Sequence, residues 1–180
     1  MKYKLTKETK TELGVKLFRI KALKSFGGIR KGDTGGWIEY AENLSQSGYA
    51  WVSGNARVYG NAQVFGNAQV YGNAQVYGNA QVYGDAHVYG NAQVYGNAQV
   101  FGNAQIYGDA QVTNSIIFIR GLLWNVTISD KHIAIGCELH AFAFWRRASD
   151  ETIAKMGPQA INWWKLHKPM VMGLADANRG

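Results

Sequence analysis

One histidine interrupts an otherwise monotonous stretch of this sequence. His87 stands where most of the neighbouring repeats carry Gln, two residues after Asp85 in VYGDAHVYG. A histidine helped by a carboxylate is the usual equipment of a general base. The simpler reading is a solvent-facing substitution, with Asp85 replacing Asn at a turn where the two interchange easily, and that reading is preferred. His132, Cys137 and His140 form a second constellation, H-x4-C-x2-H. All three can ligate zinc, but the spacing fits no strong zinc pattern and a fourth ligand is missing. Structural roles are expected for them.

A third group lies near the C-terminus. Trp145, Trp163 and Trp164 accompany Arg146, Arg147, Lys165 and Lys168. Aromatic and Arg side chains are typical anchors of binding surfaces, so these seven residues are the candidate partner-binding set. A buried cap or subunit contact is the competing and preferred explanation of the tryptophans. Gly27-Gly28 and Gly35-Gly36 in FGGIRKGDTGGW read as turns. They lack the Lys-Ser/Thr of a phosphate loop, and no cofactor is expected.

The elements that must position these residues are set by a repeat. From Val52 to Gln111 the chain reads as ten hexads of the type VYGNAQ. In Ala-Gln-Val-Tyr the side chains alternate, so Ala and Val face one way and Gln and Tyr the other. Gly-Asn then turns the chain, because both residues tolerate positive φ. Three such strands and turns close a triangular coil of 18 residues. Stacked coils pair backbone to backbone, so ten hexads give about 3.3 coils and roughly 16 Å of shaft. A helix is excluded: Gly in every hexad costs about 1 kcal/mol each there, and no 3.6-residue period exists.

The expected fold is therefore mainly β: a single-stranded parallel β-helix over residues 52–136, an N-terminal β cap over 1–51 and a C-terminal two-helix cap over 137–180. In the second cap Ser149 is the N-cap, Gly157 ends one helix, Pro158 opens the next and Pro169 stops it. The aromatic column divides among three faces: Tyr59, Tyr77 and Tyr95; Phe65, Tyr83 and Phe101; Tyr71, Tyr89 and Tyr107. Both repeat phenylalanines share one face. That face, with Gln63, Gln81 and Gln99, is the expected oligomer interface, since Phe lacks the hydroxyl that lets Tyr meet water. The Tyr, Gln and Asn surface could also stack on an extended glycan, though ladders between coils explain it more simply.

Charge is uneven. Residues 1–51 carry 10 Lys/Arg against 5 Asp/Glu, residues 52–111 carry 1 against 2, and residues 112–180 carry 8 against 5. A nucleic acid could therefore engage only the basic ends, because phosphate tracking needs a basic stripe. With Cys137 as the single cysteine no internal disulfide forms. No run approaches the ~18–20 apolar residues of a membrane span and no apolar leader is present. A cytoplasmic protein is expected.

Three stretches together resemble a group of bacteriophage and prophage hexapeptide-repeat proteins: the N-terminal YKLTKET and FRIKALKSFGGIRKGDTGGWIEYAENLS, the YGNAQV run, and WNVTISDKHIAIGCELH with SDETIAKMGPQAINWWKLHKP. The resemblance spans nearly the whole chain, and its end segments are more specific than the repeat. It implies a phage origin and a left-handed, trimeric β-helix akin to the hexapeptide transferases, but no established activity. The expectation that follows is a non-enzymatic binding or scaffold protein. It would be a homotrimer that engages a host protein or small ligand, possible targets being an antiviral defence or a signalling nucleotide. The alternatives are a CoA-dependent acyltransferase working through His87, against which the uninterrupted run of hexads argues, and a virion or polymer-forming component.

Overall fold

The computed structural model describes residues 1–178. It contains two compact units, divided between Ser115 and Ile116. The first is a β-solenoid of about four turns with an N-terminal hairpin.

Each hexad delivers one two-residue rung, and rungs 18 residues apart pair in parallel. Arg57-Val58 pairs with Gln75-Val76, and so on through Gln93-Val94 to Gln111-Val112. The second face runs from Trp51-Val52 through Gln69 and His87 to Gln105. The third runs from Gln63 through Gln81 to Gln99. The repeat thus forms the expected three faces. Ala and Val of the hexads are fully buried, from Ala56 and Val58 to Ala98 and Val100. At roughly 0.8 kcal/mol per buried CH2, this continuous Ala/Val column is the dominant stabilising element of the coils.

Side-chain ladders run along the outside. Tyr59, Tyr77 and Tyr95 stack at 5.0 and 4.9 Å between ring centroids, within 3° of parallel. Asn55 Nδ2 donates to Asn73 Oδ1, Asn73 to Asn91, and Asn91 to Asp109. Asp109 closes its ladder as an acceptor with no proton to pass on, which suits a carboxylate at the last step.

Two strands cap the start of the coil. β1 (Tyr3–Glu12) and β2 (Val15–Ala22) form an antiparallel hairpin, and β2 pairs with β3 (Thr34–Ile38). β3 pairs in parallel with Arg57-Val58, so one sheet passes from hairpin into solenoid and the first coil has no open edge there. Gly27 and Gly28 make the expected turn, at φ +47° and +86°. Gly35 and Gly36 do not; they lie within β3. A Cβ on Gly35 would sit 2.5 Å from Ile20 and 2.6 Å from Trp51, and one on Gly36 2.7 Å from Val52. Close approach of cap and coil, rather than a turn, requires these two glycines. Lys2 and Tyr3 plug the end. Lys2 Nζ donates to the Ala50 carbonyl at 2.8 Å, and the Tyr3 hydroxyl lies 2.7 Å from the carbonyls of Ala41 and Leu44.

The last rung is Gln111-Val112. The strands beyond it, expected to continue the coils to residue 136, belong instead to the second unit. Ile117–Ile119, Val126–Ile128, His132–Ile135 and Glu138–Ala141 form an antiparallel meander. The cause is loss of the Gly-Asn corner: hairpin turns now reverse the chain every few residues. Three helices follow, where two were expected: α1 (Phe142–Arg147), α2 (Asp150–Ala154) and α3 (Ala160–Ala177). Ser149 caps α2 through its side chain, 3.2 Å from Thr152 N. Pro169 does not stop α3 but lies inside it. The ring removes the bond to the Lys165 carbonyl, while Val171, Met172 and Ala175 beyond it are buried in the unit's core and hold the helix on course. No helix of the described residues is long and apolar enough to cross a membrane.

Candidate binding groove

The second unit brings together four of the seven residues singled out as a binding set. Arg146 from the end of α1 and Trp164, Lys165 and Lys168 from α3 line one open groove of about 610 Å³, with Ala148, Asp150, Pro169 and Met172. Helical spacing explains the α3 contribution, since residues four apart share a face. Trp164 and Met172 are buried and supply an apolar floor, whereas Arg146 and Lys165 are exposed at the rim.

The rim charges are tethered, but weakly. Lys165 Nζ lies 2.5 Å from Asp150 Oδ2, and Arg146 pairs with Asp176. Lys168 Nζ donates to the Arg146 carbonyl at 3.1 Å and sits 5.6 Å from the Trp164 ring centroid. Exposed ion pairs contribute about 0–1 kcal/mol, so an incoming anion can displace Asp150 or Asp176 at small cost. Three cations, two of them paired with Asp150 and Asp176, around an indole floor make a site suited to an acidic ligand with some apolar surface. Arg147 is exposed but lies outside the groove lining.

The tryptophans need a correction as binding candidates, and their burial agrees with the preferred explanation of a cap. Trp145, Trp163 and Trp164 are only 2%, 7% and 4% exposed, and all three belong to one core cluster with Ile128, Ile133 and Phe142. Trp145 Nε1 donates to the Ile133 carbonyl at 2.9 Å. The indoles fill the space between the meander and the helices together with Val126, Ile128, Ile133, Ile153 and Val171. Trp145 and Trp163 therefore lie outside the groove, and Trp164 enters it only as a floor.

His87 sits on the middle of a solenoid face, edge-on to Tyr71 at 6.1 Å. Asp85 does not orient it; that carboxylate accepts from Asn67 Nδ2 at 3.0 Å as part of the outer ladder. The acid–base pair suggested by the spacing is thus not assembled. The zinc candidates also stay apart. His132 opposes Ala141 and His140 opposes Ile133, so alternation puts the two imidazoles on opposite faces of their hairpin. Cys137 is exposed at the turn, and His140 Nε2 lies 3.0 Å from Glu138 Oε2. Burial and the nearby Lys131 lower the His132 pKa. Among the described residues no group of three His, Cys, Asp or Glu could hold a metal ion.

The face with Phe65, Tyr83 and Phe101 is a stacked ladder, at 4.9 and 5.6 Å. Gln63 and Gln99 are exposed and Gln81 is half-buried. Sequence reasoning missed the cationic sandwich at the solenoid's start. Lys10 and Arg19 lie 4.7 and 4.5 Å from the Trp37 ring, and Arg57 pairs with Glu12. The signal was available: Trp37 and Arg57 occupy the column otherwise filled by Gln.

Comparison with known proteins agrees with the coil geometry. Residues 50–66, 62–78, 68–83, 74–90 and 80–96 match the family model described as YdcK Beta solenoid repeat. The chain is a repeat-built β-solenoid protein. The matched stretches lie wholly within the coils and include neither the N-terminal hairpin nor the second unit. No curated protein matches.

Proposed function

We propose that this chain is a non-enzymatic binding protein, in which the solenoid is the rigid scaffold and the unit from Ile116 onward engages an acidic partner through the Arg146–Trp164–Lys165–Lys168 groove. The observation that carries the reading is the convergence of cations from α1 and α3 on one groove with an indole floor. Its volume falls within the ~300–1,000 Å³ of ordinary ligand sites. The uninterrupted ladders of the solenoid supply stiffness, and neither His87 nor the His132, Cys137 and His140 set has the geometry that would favour an enzymatic reading.

A homotrimer built on the Phe65, Tyr83 and Phe101 face is part of the proposal, as is a host component as partner, which follows from the resemblance to phage proteins. Left-handed coiling belongs to the same resemblance. The test is titration of a fluorescein-labelled oligoglutamate peptide into the wild type and into Lys165→Glu/Lys168→Glu. Salt-sensitive binding that disappears in the double variant supports the proposal. Equal binding by both proteins refutes the groove, and no binding by the wild type refutes an acidic partner.

A further inference from the structure

The second unit holds another cavity, of about 100 Å³, walled by Trp124, Trp145, Trp163, Trp164 and Met156. The turn residues Gly136 and Cys137 and the half-buried Glu138 also line it, and the two turn residues are exposed, so the cavity reaches the surface there. It is distinct from the groove, sharing only Trp164 with that lining.

The chemistry of the walls selects a ligand class. Trp145 Nε1 is already bonded to the Ile133 carbonyl. Trp163 Nε1 and Trp164 Nε1 are buried and without a partner, with essentially no accessible surface. These three indoles therefore offer ring carbon to the cavity, not hydrogen-bond donors. The rings are set at steep angles, 69° between Trp124 and Trp163 and 48° between Trp145 and Trp164, at centroid distances of 5.5 and 5.1 Å. Aromatic faces carry negative quadrupole charge and attract cations. The single ionisable carboxylate in the lining, Glu138, whose Oε2 also lies 3.0 Å from His140 Nε2, has the same sign of effect, and neither Lys nor Arg lines the cavity. A bare metal ion would find one carboxylate and apolar walls, which cannot replace its water shell. An alkylated ammonium would bring both a delocalised charge and methyl groups that suit those walls.

We infer that this cavity binds a trimethylammonium group, with the indoles as cage and Glu138 as counter-charge at the mouth. The size agrees: a cavity of about 150 Å³ holds the six heavy atoms of benzene, and one of about 100 Å³ holds four in proportion, the number in a trimethylammonium group. The inference is independent of the acidic-partner groove, because one site is read with cations and the other with anions, and either can fail alone.

The test is calorimetric titration with tetramethylammonium and choline, set against 3,3-dimethyl-1-butanol, the neutral shape analogue of choline. Both cations are expected to saturate a single site, with the neutral analogue weaker by about two- to thirtyfold. Glu138→Gln, with its fold checked by circular dichroism, is expected to weaken choline severalfold and leave the neutral analogue unchanged. Phosphocholine and Nε-trimethyllysine then separate a headgroup source from a peptide source by which binds tighter. Equal affinity for choline and its neutral analogue overturns the inference in favour of a plain apolar pocket. Absence of saturation by either cation overturns it outright.

Discussion

A methyl group added at Gly84 tests the coil geometry where successive turns stack closely. Gly84 has φ +71°, and a Cβ there would lie 2.9 Å from Gly102 N and 3.1 Å from Gly102 O. Both are backbone atoms of the next coil and cannot rotate away. Gly84→Ala therefore carries two costs. The left-handed conformation costs an L-residue about 1–2 kcal/mol. Relieving the contact also pushes apart the two coils where Asp85 N donates to Gly102 O at 2.8 Å. Weakening that bond adds about 0.5–1.5 kcal/mol, so a total of about 1.5–3.5 kcal/mol is expected. Gly14 supplies the control within the same unit: its φ is +80°, but nothing lies within 4 Å of its Cβ position. Gly14→Ala should show the conformational cost alone, about 1–2 kcal/mol. Urea unfolding of both variants, followed by far-ultraviolet circular dichroism, measures the difference. A Gly84→Ala loss no larger than that of Gly14→Ala refutes the close stacking of the turns.

Three further outcomes are expected. Val82→Ala, at a fully buried rung, should destabilise the solenoid by about 2–3 kcal/mol in the same unfolding assay, from lost transfer energy plus a cavity that the neighbouring coils cannot fill. His87→Ala should change stability by less than about 0.5 kcal/mol, measured likewise, because its half-buried ring meets the exposed Tyr71 edge-on. Stability should rise between pH 8 and 10 and fall above that. Burial and Lys24 push the Lys2 amine down to about 8 from 10.5, so in that window the unfolded chain holds a proton the folded chain has released. Burial and Glu42 raise the Tyr3 phenol above its usual 10.0, so above pH 10 the folded chain keeps a proton the unfolded chain loses. Thermal melts across this range should show the rise in the wild type and lose it in Lys2→Met.

How much of this was legible in the sequence depends on the range of the forces involved. The coil was legible because each hexad solves its own problem: Gly-Asn turns, Ala-Gln-Val alternates, and 18-residue spacing stacks like on like. The aromatic and Asn columns follow from the same arithmetic. Gly35-Gly36 was misread as a turn because its requirement is tertiary: Ile20 and Trp51 occupy the space a side chain would need. Pro169 was misread for a similar reason, since burial of Val171 and Ala175 overrides a local helix breaker. α1 carries no side-chain cap at Ala141 and left no start signal. For the binding site, the cations at 146, 165 and 168 were found by composition. Their separation from the buried indoles beside them depends on which face of α3 packs inward, and a row of adjacent Trp, Trp and Lys leaves that open.

The central claim is that the groove, rather than the solenoid faces, holds the partner. The most direct measurement is the affinity of a labelled oligoglutamate peptide for the wild type, for Lys165→Glu/Lys168→Glu, and for a Tyr77→Ala/Tyr95→Ala control on the solenoid. The account predicts binding by the wild type and the tyrosine variant and none by the charge-reversed one. Binding retained after charge reversal, or lost with the tyrosines, would contradict it.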